Sequence, residues 1–69
     1  MKKKHPRYNR IAGYQIAANL SSDIIAEELG ISIRTYRDKI NGTRDFTASE
    51  IRTLSKLLKK PADELLRFD

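Results

Sequence analysis

Apolar residues recur along this chain at intervals of three and four, the spacing of a helix face, and nowhere alternate as a strand would. Tyr8, Ile11, Ala12, Ile16 and Leu20 form the first such run, and Pro6 fits its first turn. Gly13 interrupts the run at about 1 kcal/mol relative to alanine, which a close helix contact there would explain. Ser21, Ser22 and Asp23 then supply a side-chain cap and a negative charge, where free backbone N–H groups favour both. A second helix is expected over 23–29, with Ile24, Ile25 and Leu29 spaced to reach a core and Gly30 ending it in a left-handed conformation. Ser32 caps a third helix through Ile40, with Tyr36 and Ile40 one turn apart; Asn41-Gly42 ends it, since both tolerate positive φ. Thr47-Ala48-Ser49-Glu50 is a capping box, and Phe46 before it is positioned to staple onto Ile51. The fourth helix buries Ile51, Leu54 and Leu58 and places Lys59 and Lys60 at the negative end of its dipole. Pro61 opens a short last helix holding Leu65 and Leu66, with Phe68 beyond. The expected fold is all-α, a compact five-helix bundle.

Length and composition narrow what such a bundle can do. At 69 residues it is one domain, expected at 7–69 behind a basic, flexible arm at 1–6. A domain of about 60 residues buries only about 60% of its unfolded surface, which leaves little room for an enclosed catalytic cleft beside a core. Cysteine is absent, so packing alone must hold the fold and no thiolate metal site exists. His5 has no second histidine or cysteine to form a metal or general-base constellation, and three scattered glycines make no phosphate-cradling loop. Neither catalysis nor a metal, cofactor or small-molecule ligand is expected. No apolar run approaches the roughly 20 residues that span a bilayer, and the lysine-rich start lacks a signal peptide's apolar segment. A soluble, cytoplasmic protein without membrane contact is the expectation.

Charge adds a direction. Net charge is +5 and the pI about 9.8, the first requirement for a nucleic-acid binder. Lys2, Lys3, Lys4, Arg7 and Arg10 precede any acid, and Arg34, Arg37, Lys39 and Arg44 face a single Asp38 in the segment 31–44. Between the two basic regions lie Asp23, Glu27 and Glu28. The helices around Gly30 also meet the needs of a helix-turn-helix. Ala26 is small where they would cross, and Ile25, Leu29, Ile31, Tyr36 and Ile40 make an interior for the pair. Such a unit lays its second helix in the major groove, and Ser32, Ile33, Arg34, Arg37 and Asp38 would then face outward.

At Leu20 to Ser32 (LSSDIIAEELGIS), Arg37 to Gly42 (RDKING) and Asp63 to Leu66 (DELL), the chain resembles the Cro/CI-type (XRE-like) helix-turn-helix regulators of phages and bacteria. Lys39 to Arg44 (KINGTR), followed by Phe46-Thr47 and Glu50, is most similar to small phage or prophage regulators. The resemblance spans about residues 10–67. It implies a lambda-repressor-like fold and a sequence-specific transcriptional regulator, a Cro- or CI-like repressor, acting on a palindromic double-stranded DNA operator. By position it implies base reading by Ser32, Ile33, Arg34, Arg37 and Asp38, and phosphate contacts by Ser22, Asn41, Thr43 and Arg44. Many members have glutamine where this chain has Ser22, glycine at Lys59, and a serine or threonine at Pro61.

The residues themselves leave several roles open. Arg34 suits bidentate contact with guanine O6 and N7, worth about 1–3 kcal/mol of discrimination. Arg37 reaches either a base or a phosphate. Asp38 orients these arginines, accepts from cytosine N4, or forms an intrahelical ion pair with Arg34. Ile33 meets a thymine methyl or packs on a neighbour, and Tyr36 reads as core rather than as a base-stacking ring. Lys2, Lys3 and Lys4 form either a DNA-following arm or a solubilising tail. Helix-turn-helix proteins commonly pair on half-sites about 34–36 Å apart. In a homodimer, Leu65, Leu66, Phe68 and the fourth-to-fifth helix region are the expected surface, unless the core consumes these leucines. Two alternatives remain: a protein-binding module on the same fold, such as an antitoxin or anti-repressor, and a non-specific nucleic-acid binder.

Overall fold

The computed structural model describes residues 3–68. It contains five helices and, among the described residues, no strand: α1 Asn9–Ala17, α2 Ser22–Leu29, α3 Ile33–Asn41, α4 Ala48–Leu58 and α5 Ala62–Leu65. No helix among them is long and apolar enough to cross a membrane.

Helix starts follow the capping chemistry. The Ser21 hydroxyl accepts from the Ile24 N–H at 3.3 Å and that of Ser32 from the Thr35 N–H at 3.1 Å. At α4 the capping box closes: Thr47 Oγ1 accepts from the Glu50 N–H at 3.2 Å, and Glu50 Oε1 accepts from the Thr47 N–H at 2.8 Å. Gly30 (φ 72°) and Gly42 (φ 102°) end α2 and α3 in the left-handed region. Asn41 remains the last helical residue of α3, so the turn that Asn41 and Gly42 were expected to share falls on Gly42 alone. Lys59 also ends α4 left-handed, at φ 56°.

α2 packs on α3 across the turn at 30–32, α4 backs α2 and closes onto α5, and α1 lies against α3 and α5. The core comprises Tyr8, Ile11, Ile25, Ala26, Tyr36, Ile40, Ile51, Leu54, Leu58 and Leu65. Ala26 is buried in this core at 2% exposure.

Four expectations need correction. Ile16 is 78% exposed, because five residues at 3.6 per turn carry it about 140° around α1 from buried Ile11. Ile24 is 47% exposed, since α2 presents Ile25, Ala26 and Leu29 inward instead. Gly13 is exposed, and a Cβ there would meet nothing within 4 Å, so no close contact explains it. Pro6 lies outside α1, which starts only at Asn9. Residues 4–8 instead run along the end of α3, with the Lys4 and His5 N–H groups donating to the Gly42 carbonyl at 2.6 and 3.3 Å and that of Tyr8 to Ile40 at 2.9 Å. Lys4 and His5 are thus attached to the domain that was expected to begin at residue 7.

Candidate nucleic-acid interface

α3 is amphipathic, with Tyr36, Lys39 and Ile40 buried and Arg34 and Arg37 exposed. Among the described residues neither arginine is engaged by a hydrogen bond or an ion pair, so both guanidinium forks are available to a ligand. Ser32 is exposed at the helix start, but its hydroxyl is engaged twice by Thr35, accepting from the N–H and donating to Oγ1 at 2.9 Å. Ile33 is half-buried and packs against the core. Tyr36 is buried as expected, at 1% exposure.

Behind the exposed face runs a polar chain linking three helices. The Tyr36 hydroxyl donates to Gln15 Oε1 at 2.7 Å, and Gln15 Nε2 donates to the Ser22 hydroxyl at 3.1 Å. Burial pushes the Tyr36 pKa up to about 12, so the phenol stays protonated as a donor. Ser22, at the first turn of α2, is therefore oriented by Gln15, a residue that apolar periodicity gave no reason to single out.

Ser22, Gln15, Arg37 and Asn41 line one notch of about 300 Å³ together with Arg7 and exposed Ile16. Arg7 Nε donates to Asn41 Oδ1 at 3.4 Å and its Nη1 to Asn9 Oδ1 at 2.6 Å. The N-terminal segment thus contributes a cation beside the end of α3. Its sequence signal was visible only as one of several basic residues before the first acid.

Beyond Gly42 the chain makes a second cluster. The Asp38 carbonyl accepts from the N–H groups of Gly42, Thr43 and Arg44 and from the Thr43 hydroxyl at 3.1 Å. The Asp38 carboxylate pairs with Arg44 Nε at 3.6 Å and not with Arg34, because the loop folds Arg44 back onto the helix end. Lys3 and Lys4 are exposed in the N-terminal segment; Lys2 lies outside the described residues. The other basic residues differ in fate. Arg10 Nη1 donates to the Tyr14 hydroxyl at 3.5 Å, which donates to Glu64 at 3.0 Å, tying α1 to α5.

Lys39 is withdrawn altogether. It is 8% exposed and its ammonium donates to Glu50 Oε1, the same oxygen that closes the α4 capping box. Burial alone would raise the Glu50 pKa, but hydrogen bonds from Lys39 and Thr47 and the Lys39 charge outweigh it, leaving the carboxyl lowered. No group of three or more His, Cys, Asp or Glu side chains among the described residues could hold a metal ion. Phe68, 42% exposed, stacks on Tyr8 at 4.8 Å and His5 at 5.8 Å, so its ring is partly occupied within the chain. Leu65 is fully buried and drops out of any intermolecular surface, while Leu66 is 41% exposed.

No protein-family model, curated protein or solved structure matches this chain in comparison.

Proposed function

We propose that this chain is a sequence-specific DNA-binding transcriptional regulator that lays α3 in the major groove. The observation that carries the reading is the pair of unengaged guanidinium groups of Arg34 and Arg37, one turn apart on the exposed face of a short helix. A helix presenting such forks near its N-terminus has the shape and donor geometry for guanine edges. The notch with Ser22, Arg37, Asn41 and Arg7 lies to one side and the Thr43–Arg44 loop follows the other end of α3. Both offer guanidinium groups to a phosphate backbone, Arg7 and Arg37 in the notch and Arg44 in the loop, and such contacts position a protein without reading sequence. The resemblance to small phage regulators favours a Cro- or CI-like cytoplasmic repressor.

A palindromic operator requires two copies. One protomer measures 30 × 26 × 21 Å, enough for one half-site and short of the roughly 34–36 Å between half-site centres. The surface offered for pairing is an apolar groove of about 440 Å³ between α4 and α5, lined by Phe46, Ile51, Ala62 and Leu66.

Selection of bound fragments from random-sequence duplex DNA tests the reading. Enrichment of a palindrome is the expected result. Uniform recovery of all sequences at moderate salt would refute it in favour of non-specific binding.

A further inference from the structure

The N-terminal segment and the loop after α3 are built into one another. The Gly42 carbonyl accepts from both the Lys4 and His5 N–H groups. The approach is close enough that a Cβ on Gly42 would stand 2.0 Å from the His5 carbonyl oxygen. From the other side, His5 Nε2 lies 2.8 Å from the Arg44 carbonyl oxygen. His5 Nδ1 lies equally close, 2.8 Å, to the Pro6 carbonyl oxygen; both oxygens can only accept, so the ring form that carries its proton on Nε2 is the one that donates to Arg44. The ring is held against Tyr8 at 4.5 Å and Phe68 at 5.8 Å, with a side chain only 9% exposed. Tyr8 and Phe68 are themselves stacked, and Tyr8 is anchored on the Ile40 carbonyl. The loop therefore has two supports: the Asp38 carbonyl gathers its N–H groups, and His5 takes the outward carbonyl of Arg44.

We propose that residues 4–8 act as a strap setting the geometry of the Thr43–Arg44 loop, with His5 a positioning residue for the phosphate contacts of that loop. This rests on the DNA-binding reading above. His5 touches no DNA in it. A loop held only from the helix side could rotate at the Arg44–Asp45 peptide, and the Arg44 phosphate contact would then be lost or form only after the loop is ordered. Ordering chain on binding lowers affinity without altering which bases are read.

His5→Phe separates the hydrogen bond from the packing, because it keeps an aromatic ring against Tyr8 and Phe68 but removes both ring nitrogens. Its affinity should fall roughly fivefold, the scale of one hydrogen bond's net contribution, by the same factor on operator and random DNA. The slope of log K against log salt should become shallower, since each neutralised phosphate contributes about 0.9 to it. In an Arg44→Ala background the effect should shrink, because both substitutions remove the same contacts. His5→Gln, which keeps an N–H donor, should recover affinity and slope.

An undiminished effect of His5→Phe in the Arg44→Ala background would overturn the strap, as would wild-type affinity and salt slope in the folded Phe variant. Loss from His5→Gln equal to that from His5→Phe would do the same. Failure of the wild-type chain to bind duplex DNA at all would instead remove the DNA reading on which the strap depends. Should the Phe variant not fold, native-state amide exchange of the wild-type chain carries the test. The Lys4, His5, Thr43 and Arg44 amides should open as one unit, and fast independent opening at Lys4 and His5 would refute the coupling.

Discussion

Arg34 and Arg44 carry the same charge toward opposite ends of α3, and the proposed DNA-binding reading gives them different work. Among the described residues Arg34 has no partner, whereas Arg44 is steered by Asp38 and by the loop. Arg34→Ala should cost about 1–3 kcal/mol on the selected operator and relax one base position, read by repeating the fragment selection. Arg44→Ala should weaken all sequences alike and reduce the salt slope by about 0.9. If both variants lose the same base preference, the roles are misassigned. Two other positions concern stability alone. Gly13 sits exposed within α1 with open space around it, so Gly13→Ala should stabilise by about 1 kcal/mol in urea unfolding. Lys59 holds φ 56° where a side chain costs about 1–2 kcal/mol, so Lys59→Gly should also raise the midpoint, after offsetting glycine's greater freedom when unfolded.

At the scale of elements, the Glu50 carboxylate joins the start of α4 to the buried face of α3. One oxygen accepts from the Thr47 N–H and from Lys39, so the capping box and the interhelical ion pair stand or fall together. Because folding lowers the Glu50 pKa, its contribution is complete above the ordinary value of 4.5 and is lost as pH falls through the folded-state value. Urea midpoints measured from pH 7 downward should therefore drop below about pH 4.5 in the wild type, and Glu50→Gln should remove part of that dependence. At neutral pH, removing one partner of a buried pair costs about 3–5 kcal/mol, so Lys39→Ala should be far more damaging than loss of an exposed lysine. A Lys39→Ala variant of wild-type stability would show that the pair contributes nothing. The same element logic explains Ser22. Its side chain is oriented from α1 through Gln15 and Tyr36, which gives a short serine a defined position at the notch that a longer side chain would reach by itself.

For the whole molecule, the segment before α1 meets the residues after α5. His5 and Tyr8 stack with Phe68, while α5 closes the core through Leu65. This arrangement takes Leu65 and part of Phe68 out of the surface expected for pairing and leaves the groove around Phe46 and Leu66. Leu66→Lys should lower affinity for a full palindrome while leaving a single half-site bound as in the wild type, measured by titration of both duplexes. Equal affinity for the palindrome would place the pairing surface elsewhere.

Local chemistry was legible along the chain because it acts between neighbours in sequence. Ser21, Ser32 and the Thr47/Glu50 box start their helices, Gly30 and Gly42 end theirs, and Ile11, Ile25, Tyr36, Ile40, Leu54 and Leu58 face the core, all as caps and periodicity predict. The outward position of Arg34 and Arg37 followed from the same periodicity. What depends on contacts between distant residues was decided only by the tertiary structure. A run of apolar residues does not say which arc of a short helix meets a neighbour, and so Ile16 and Ile24 were placed inside when they lie outside. Nor does a count of positive charges say which are engaged within the fold: Lys39 is buried against Glu50, Arg10 donates to Tyr14, and Arg7 turns to Asn41. The docking of the N-terminal segment on Gly42 belongs to the same class, since it joins positions that sequence separates by more than half the chain.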